Sequence, residues 1–123
     1  MYRSYLRAKQ VEAKWTESGT SFGQSTDNAG CFAESVHKLR DVPESSLDEK
    51  AHKVALSYFT SSCLQASKPT PDFCAKVPNK FDFPGAYTYI HSQMEKNGVL
   101  EKTGAPAVFE EVIKFCGTSA NSR

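Results

Sequence analysis

Apolar residues recur along this chain at helical intervals, and sustained period-two alternation appears nowhere. Between Tyr2 and Glu17 there is no Gly or Pro, and Tyr5, Ala8, Val11 and Trp15 recur three or four residues apart, which predicts a first helix. The run Ser18-Gly19-Thr20-Ser21-Phe22-Gly23 is expected to end it. Ser25, Thr26 or Asp27 then offers a cap for a second helix through Asp41, with Ala29, Phe32, Ala33, Val36 and Leu39 on one face. Gly30 weakens its first turn, and Cys31 points away from that stripe.

Pro43 interrupts, and Ser46-Leu47-Asp48-Glu49 reads as a capping box. Leu47, Ala51, Val54, Ala55, Tyr58, Phe59, Ser62, Cys63 and Ala66 then cover an arc wide enough for a central helix packed by more than one neighbour. Thr70-Pro71 reads as the cap and first position of a short turn carrying Phe73 and Cys74, stopped by Pro78. Phe81-Asp82-Phe83-Pro84-Gly85 reads as a loop, after which Tyr87, Ile90, His91 and Met94 resume the helical pattern. Asn97-Gly98 predicts a left-handed stop, with Val99 or Leu100 folding back over the last turn. Pro106 starts a final helix with Phe109, Val112, Ile113 and Cys116 on one face, ending at Gly117.

These elements add up to an all-α, single-domain bundle of five to six helices. An amphipathic helix over 1–19, a core domain over 20–117 and a frayed polar tail over 118–123 are expected. The length of 123 residues agrees with one domain. A net charge of +1 gives no global field for nucleic acid, and acidic residues alternate with basic ones, so no nucleic-acid partner is expected. No stretch approaches the roughly 20 apolar residues of a membrane span.

The four cysteines, Cys31, Cys63, Cys74 and Cys116, form no C-x-x-C pair, which removes the main support for redox or zinc motifs. An even, widely spaced set predicts two disulfides and an oxidising compartment, periplasmic or secreted; reduced thiols in a cytosolic chain are the alternative. A tight turn near Pro43 would set Cys31 opposite residue 56, leaving Cys63 about 10 Å too far along the helix. Cys63–Cys74, across the Lys68-Pro69-Thr70-Pro71 break, and Cys31–Cys116 are therefore the expected bridges. The cysteine spacing does not reproduce the helical odorant-carrier or saposin-like patterns. Arg3, Arg7, Lys9 and Lys14 against Glu12 and Glu17 give the first segment a net +2. An ordinary solvated helix has this character, as does the water-exposed end of a removed leader or membrane anchor.

Candidate chemistry is sparse. His37, His52 and His91 fall on three helices without a second ligand at i, i+4 spacing, so no metal is expected. The carboxylate pairs Asp48-Glu49 and Glu110-Glu111 are both accounted for by the opening turns of helices. Ser61-Ser62-Cys63 lies on the buried arc and lacks the strand-turn-helix setting of a nucleophile elbow. No phosphate-binding glycine loop is present, and neither a catalytic group nor a cofactor is expected.

The most unusual stretch places Phe81, Phe83, Tyr87 and Tyr89 within nine residues of one another. Phe81 and Phe83 can plug the bundle end, or stand out with the tyrosines as anchors for a protein partner. Tyr87 and Tyr89 lie about 200° apart on a helix, so they cannot both face inward. The expectation is a non-catalytic, disulfide-stabilised, exported domain that binds another protein, as inhibitors, immunity-type proteins and accessory subunits do. A small apolar-ligand carrier, with a pocket lined by Tyr58, Phe59, Ile90, Met94 and Phe109, is the alternative.

Overall fold

A computed structural model describes residues 2–41, 49–102 and 104–117, with side chains described throughout these except at 2–8, 11 and 49–53. Its helices are α1 (Tyr2–Gly23), α2 (Asn28–Asp41), α3 (Glu49–Ala66), α4 (Phe83–Lys96) and α5 (Ala105–Cys116). No strand occurs among the described residues, and the bundle is all-α. The expected interruption at Pro43, the capping box from Ser46 and the tail over 118–123 lie outside the described residues.

The central role expected of α3 holds: α1, α2 and α5 all pack against it. Ala55, Leu56, Phe59, Thr60, Cys63 and Leu64 are buried there, while Val54 is exposed. α1 does not end at Ser18-Gly19 but continues to Gly23. The two glycines are contact points rather than breakers. A Cβ on Gly19 would come within 2.5 Å of the Phe59 carbonyl oxygen, and one on Gly23 within 2.5 Å of the Cys63 carbonyl oxygen. Small residues four apart let α1 lie closely alongside α3, parallel to it, with Trp15 and Phe22 bracketing the Phe59 ring at centroid distances of 6.4 and 6.1 Å.

Asp27 caps α2, its Oδ1 accepting from the Gly30 N–H at 2.9 Å. The buried face of this helix is Asn28, Cys31, Ser35, Val36 and Leu39, whereas Ala29 and Ala33 are exposed. This face is rotated from the expected stripe because Asn28 and Ser35 are buried where Ala29 and Ala33 are not. Ser35 Oγ and Thr60 Oγ1 share a 2.8 Å hydrogen bond with no exposure at either residue, joining α2 to α3.

The same rotation corrects the disulfides. Cys31 pairs with Cys63 and Cys74 with Cys116, not Cys63 with Cys74 or Cys31 with Cys116. Cys31 lies on the α3-facing side of α2. The pairs Cys31–Cys63 and Ser35–Thr60 set the antiparallel register of α2 against α3, with Cys31 opposite residue 63 rather than 56. A tight turn at Pro43 would put this pairing seven residues out of register, or roughly 10 Å along the helix. The two bridges suggest an oxidising, extracellular-type environment.

Asn28 ties the start of α2 to the chain after α3. Its Nδ2 donates to Ser67 Oγ (2.8 Å) and its Oδ1 accepts from the Thr70 N–H (3.1 Å). The Thr70 hydroxyl, expected to cap its own turn, instead accepts from the Ala29 N–H at the start of α2. Residues 71–76 form successive turns, with Pro71 followed by Asp72 at a left-handed φ of 62°. This segment brings Cys74 to α5 and Phe73 between Phe32 and Phe115.

α5 begins at Ala105 with Pro106 in its first turn. It buries Ala105, Val108, Phe109, Val112, Ile113, Phe115 and Cys116, each large side chain contributing about 1.5–3 kcal/mol. α4 differs, with no residue buried. At its end Gly98 adopts φ 69°, the Val99 N–H donates to the Met94 carbonyl at 2.9 Å, and Val99 is buried, as the Asn97-Gly98 stop predicts.

Candidate functional site

The segment predicted as a loop at Phe81–Gly85 is in part the first turn of α4. Asp82 is the N-cap, its Oδ1 accepting from the Gly85 N–H at 3.0 Å, and Pro84 occupies the first turn. The Asn79 side chain accepts from the Phe81 N–H at 2.8 Å, fixing the approach to the cap. Phe81 and Phe83 therefore point outward rather than plugging the bundle end. They are 73% and 73% exposed, and Tyr87, one turn on, is 74% exposed. Lys80 Nζ lies 5.3 Å from the Phe81 ring centroid, and the Tyr87 ring stacks on His91 at 6.4 Å.

Tyr89 is separated from these three. Its ring packs against both core clusters, and burial pushes its hydroxyl up to about 12. The outward rings are thus Phe81, Phe83 and Tyr87, with Tyr89 as the inward residue of the tyrosine pair.

Both ends of the α4 segment are pinned. Cys74 and buried Val77 hold the incoming chain, and Val99 holds the outgoing one. Arg40 of α2 donates from Nε and Nη2 to the Asn97 carbonyl at 3.1 and 2.8 Å, placing a cation where the α4 dipole is negative. Two open grooves run along α4. One, of about 600 Å³, is lined by Tyr87, Thr88, His91, Ser92, Glu95 and Lys96. The other, of about 530 Å³, lies between α4 and the preceding loop, with Lys76, Pro78, Pro84 and Tyr89 among its walls. Thr88, Ser92 and Lys96, spaced four apart, form the ridge between them. Sequence reasoning passed over this ridge, although its spacing was legible.

The remaining candidates do not converge. His37 is exposed, its Nε2 3.2 Å from Asp41, and His91 sits 4.0 Å from Glu95. The His52 side chain and Asp48 lie outside the described residues. Glu110 and Glu111 fall after the first turn of α5, so the dipole does not account for them. Glu111 instead accepts from Ser57 Oγ at 2.8 Å and meets Lys114 at 3.5 Å, while Glu110 is exposed. Ser62 donates to the Tyr58 carbonyl, Ser61 accepts from Gln65, and Cys63 is bridged. Among the described residues no group of three His, Cys, Asp or Glu could hold a metal ion, and no helix is long and apolar enough to cross a membrane.

Among the described residues, fold and site together define a disulfide-braced bundle of five helices that displays an aromatic edge beside two open grooves. No family model matches the chain, and neither a curated protein nor a solved structure resembles it significantly.

Proposed function

We propose that this is a non-catalytic, exported domain, periplasmic or secreted, that binds another protein through the α4 face. One observation carries the reading: Phe81, Phe83 and Tyr87 stand about three-quarters exposed on a segment fixed at both ends. Large aromatic side chains held in place are favoured anchors at protein interfaces, because they bury much area at little cost in conformational entropy. The carrier alternative has less to support it. Phe59 and Phe109, which would line its pocket, are packed against Trp15, Phe22 and Phe32 in the core.

Site-specific photocrosslinking in the native host tests the reading. A benzoylphenylalanine in place of Phe83 is expected to yield a discrete adduct with one protein. The same probe at Ala33, exposed on α2, should not yield it. Phe81→Ser/Tyr87→Ser should reduce the adduct from position 83. No adduct, or the same adduct from both positions, overturns the proposal.

A further inference from the structure

The groove between α4 and the loop before it has a cationic character. Lys76 and Lys96 both line it, and no Asp or Glu does. Among the described residues neither ammonium has a carboxylate within salt-bridge distance, whereas Lys114 is matched by Glu111 and Lys38 by Glu34. Ser92 and Gln93 line it with the lysines, and Pro78 and Pro84 supply an apolar wall. Two cations, neutral hydrogen-bonding groups and an apolar wall complement a chain carrying carboxylates beside an apolar side chain.

We infer that this groove takes an acidic, extended segment of a partner protein, with carboxylates on Lys76 and Lys96 and an apolar side chain against Pro78 and Pro84. The inference rests on the protein-binding reading above and adds the chemistry of the partner. An anionic lipid surface is the other occupant that lysines and exposed aromatics could suggest, and two carboxylates oppose it. Asp82 lies between Phe81 and Phe83, so inserting both rings would carry its carboxylate against the lipid phosphates. Glu95 lies across the Thr88-Ser92-Lys96 ridge, where a flat bilayer meets it and a segment confined to the groove does not. The groove, about 530 Å³ and open along its length, has room for a few residues of chain.

The test selects peptides from a random displayed library on the intact, disulfide-bonded chain, then measures fluorescein-labelled winners by anisotropy. The winners should be rich in Asp and Glu and should weaken as salt is added. Lys76→Glu/Lys96→Glu should weaken them by about tenfold or more, while Lys14→Glu/Lys68→Glu should not. Lys76→Gln/Lys96→Gln, expected to fall in between, serves if charge reversal impairs folding. Winners without acidic enrichment, or winners that bind the charge-reversed chain equally well, overturn the inference. So does binding of phosphatidylglycerol vesicles, rather than peptides, that depends on the same two lysines. If the position-83 adduct persists in the Lys76→Glu/Lys96→Glu chain and acidic peptides fail to bind, this inference falls while the protein-binding reading stands. Absence of the adduct from the unsubstituted chain removes both.

Discussion

Replacing Gly19 with alanine should destabilise this protein, although the same change in an exposed helix interior stabilises by about 1 kcal/mol. The new Cβ would fall 2.5 Å from the Phe59 carbonyl oxygen and closer still to Ser62 Oγ. The serine hydroxyl can rotate away, but the Phe59 carbonyl is backbone in the central helix. That helix is tied to α2 by Cys31–Cys63 and by the Ser35–Thr60 hydrogen bond, so it has little freedom to yield. α1 must therefore move outward, loosening Trp15 and Phe22 from the Phe59 ring. Overpacking of this kind costs about 1–3 kcal/mol, with rigid neighbours toward the upper end. Set against the propensity gain, the net loss is about 1–2 kcal/mol, or roughly 3–10 °C in Tm for a domain of this size. Thermal unfolding followed by circular dichroism, with both bridges intact, measures it. Ser21→Ala, exposed on the same helix, should leave Tm unchanged or slightly raised. If Gly19→Ala raises Tm as much as propensity alone allows, the close approach of α1 and α3 is not there.

Non-reducing peptide mapping should recover Cys31 joined to Cys63 and Cys74 joined to Cys116; a Cys63–Cys74 peptide would refute the hairpin register. Loop entropy makes each bridge worth about 4 kcal/mol, so Cys74→Ser/Cys116→Ser should show a large drop in denaturant midpoint. Ser35→Ala strips a buried partner from Thr60 and should cost about 1–2 kcal/mol in urea unfolding. Adding Thr60→Val should cost little more, and strictly additive losses would mean the two hydroxyls do not depend on each other. Tyr89 ionises near 12 in the folded chain against an ordinary 10, because burial disfavours its phenolate. Its contribution to stability is therefore full below about pH 10 and is lost as pH rises through about 12. An ultraviolet titration in which Tyr89→Phe removes no phenol ionising near 12, or urea unfolding in which that variant loses stability just as steeply over that window, contradicts this burial.

Helix type and many boundaries were legible because local chemistry decides them. Asp27, Pro106 and Asn97-Gly98 act on the backbone within a turn of themselves, and each appears in the role its residue type suggests. Errors arose where a distant neighbour decides. Gly19 and Gly23 resemble breakers until α3 lies against them. Ser35 looks like a surface residue until Thr60 meets it, and without that pair the buried face of α2 is drawn one position away. The disulfide pairing depends on the same face and on the register of α2 against α3, which no local signal carries. At the candidate site, the aromatic cluster could be seen in the chain but its direction could not. Asp82 capping Gly85 turns Phe83 and Pro84 into a helix start and so sets which way the rings point.

The placement of the bridges bears on the proposed role of α4. One disulfide joins α2 to α3 inside the core, and the other joins the segment just before α4 to the end of α5. Neither includes a residue of α4, which has no fully buried residue and packs Ala86, Tyr89, Ile90 and Met94 only in part against the core. A helix so lightly packed would ordinarily sample other positions, and a partner would bear the cost of ordering it. Here Cys74 and Val77 fix the chain before α4, while Val99 and the Arg40–Asn97 hydrogen bonds fix it afterwards. On the proposed reading, this arrangement lets the exposed face be chosen for binding rather than for folding. The aromatic rings and groove lysines contribute little to the core, so changing them should alter affinity with little effect on Tm. Arg40→Ala offers the converse case: it touches neither ring nor groove, yet it frees one end of α4. Amide exchange should rise along α4 in that variant while the core amides of α5 stay protected. Binding should then weaken chiefly through faster dissociation. If Arg40→Ala leaves α4 exchange unchanged, Met94 and Val99 hold the carboxyl end of the helix without it, and the arginine is only a surface contact.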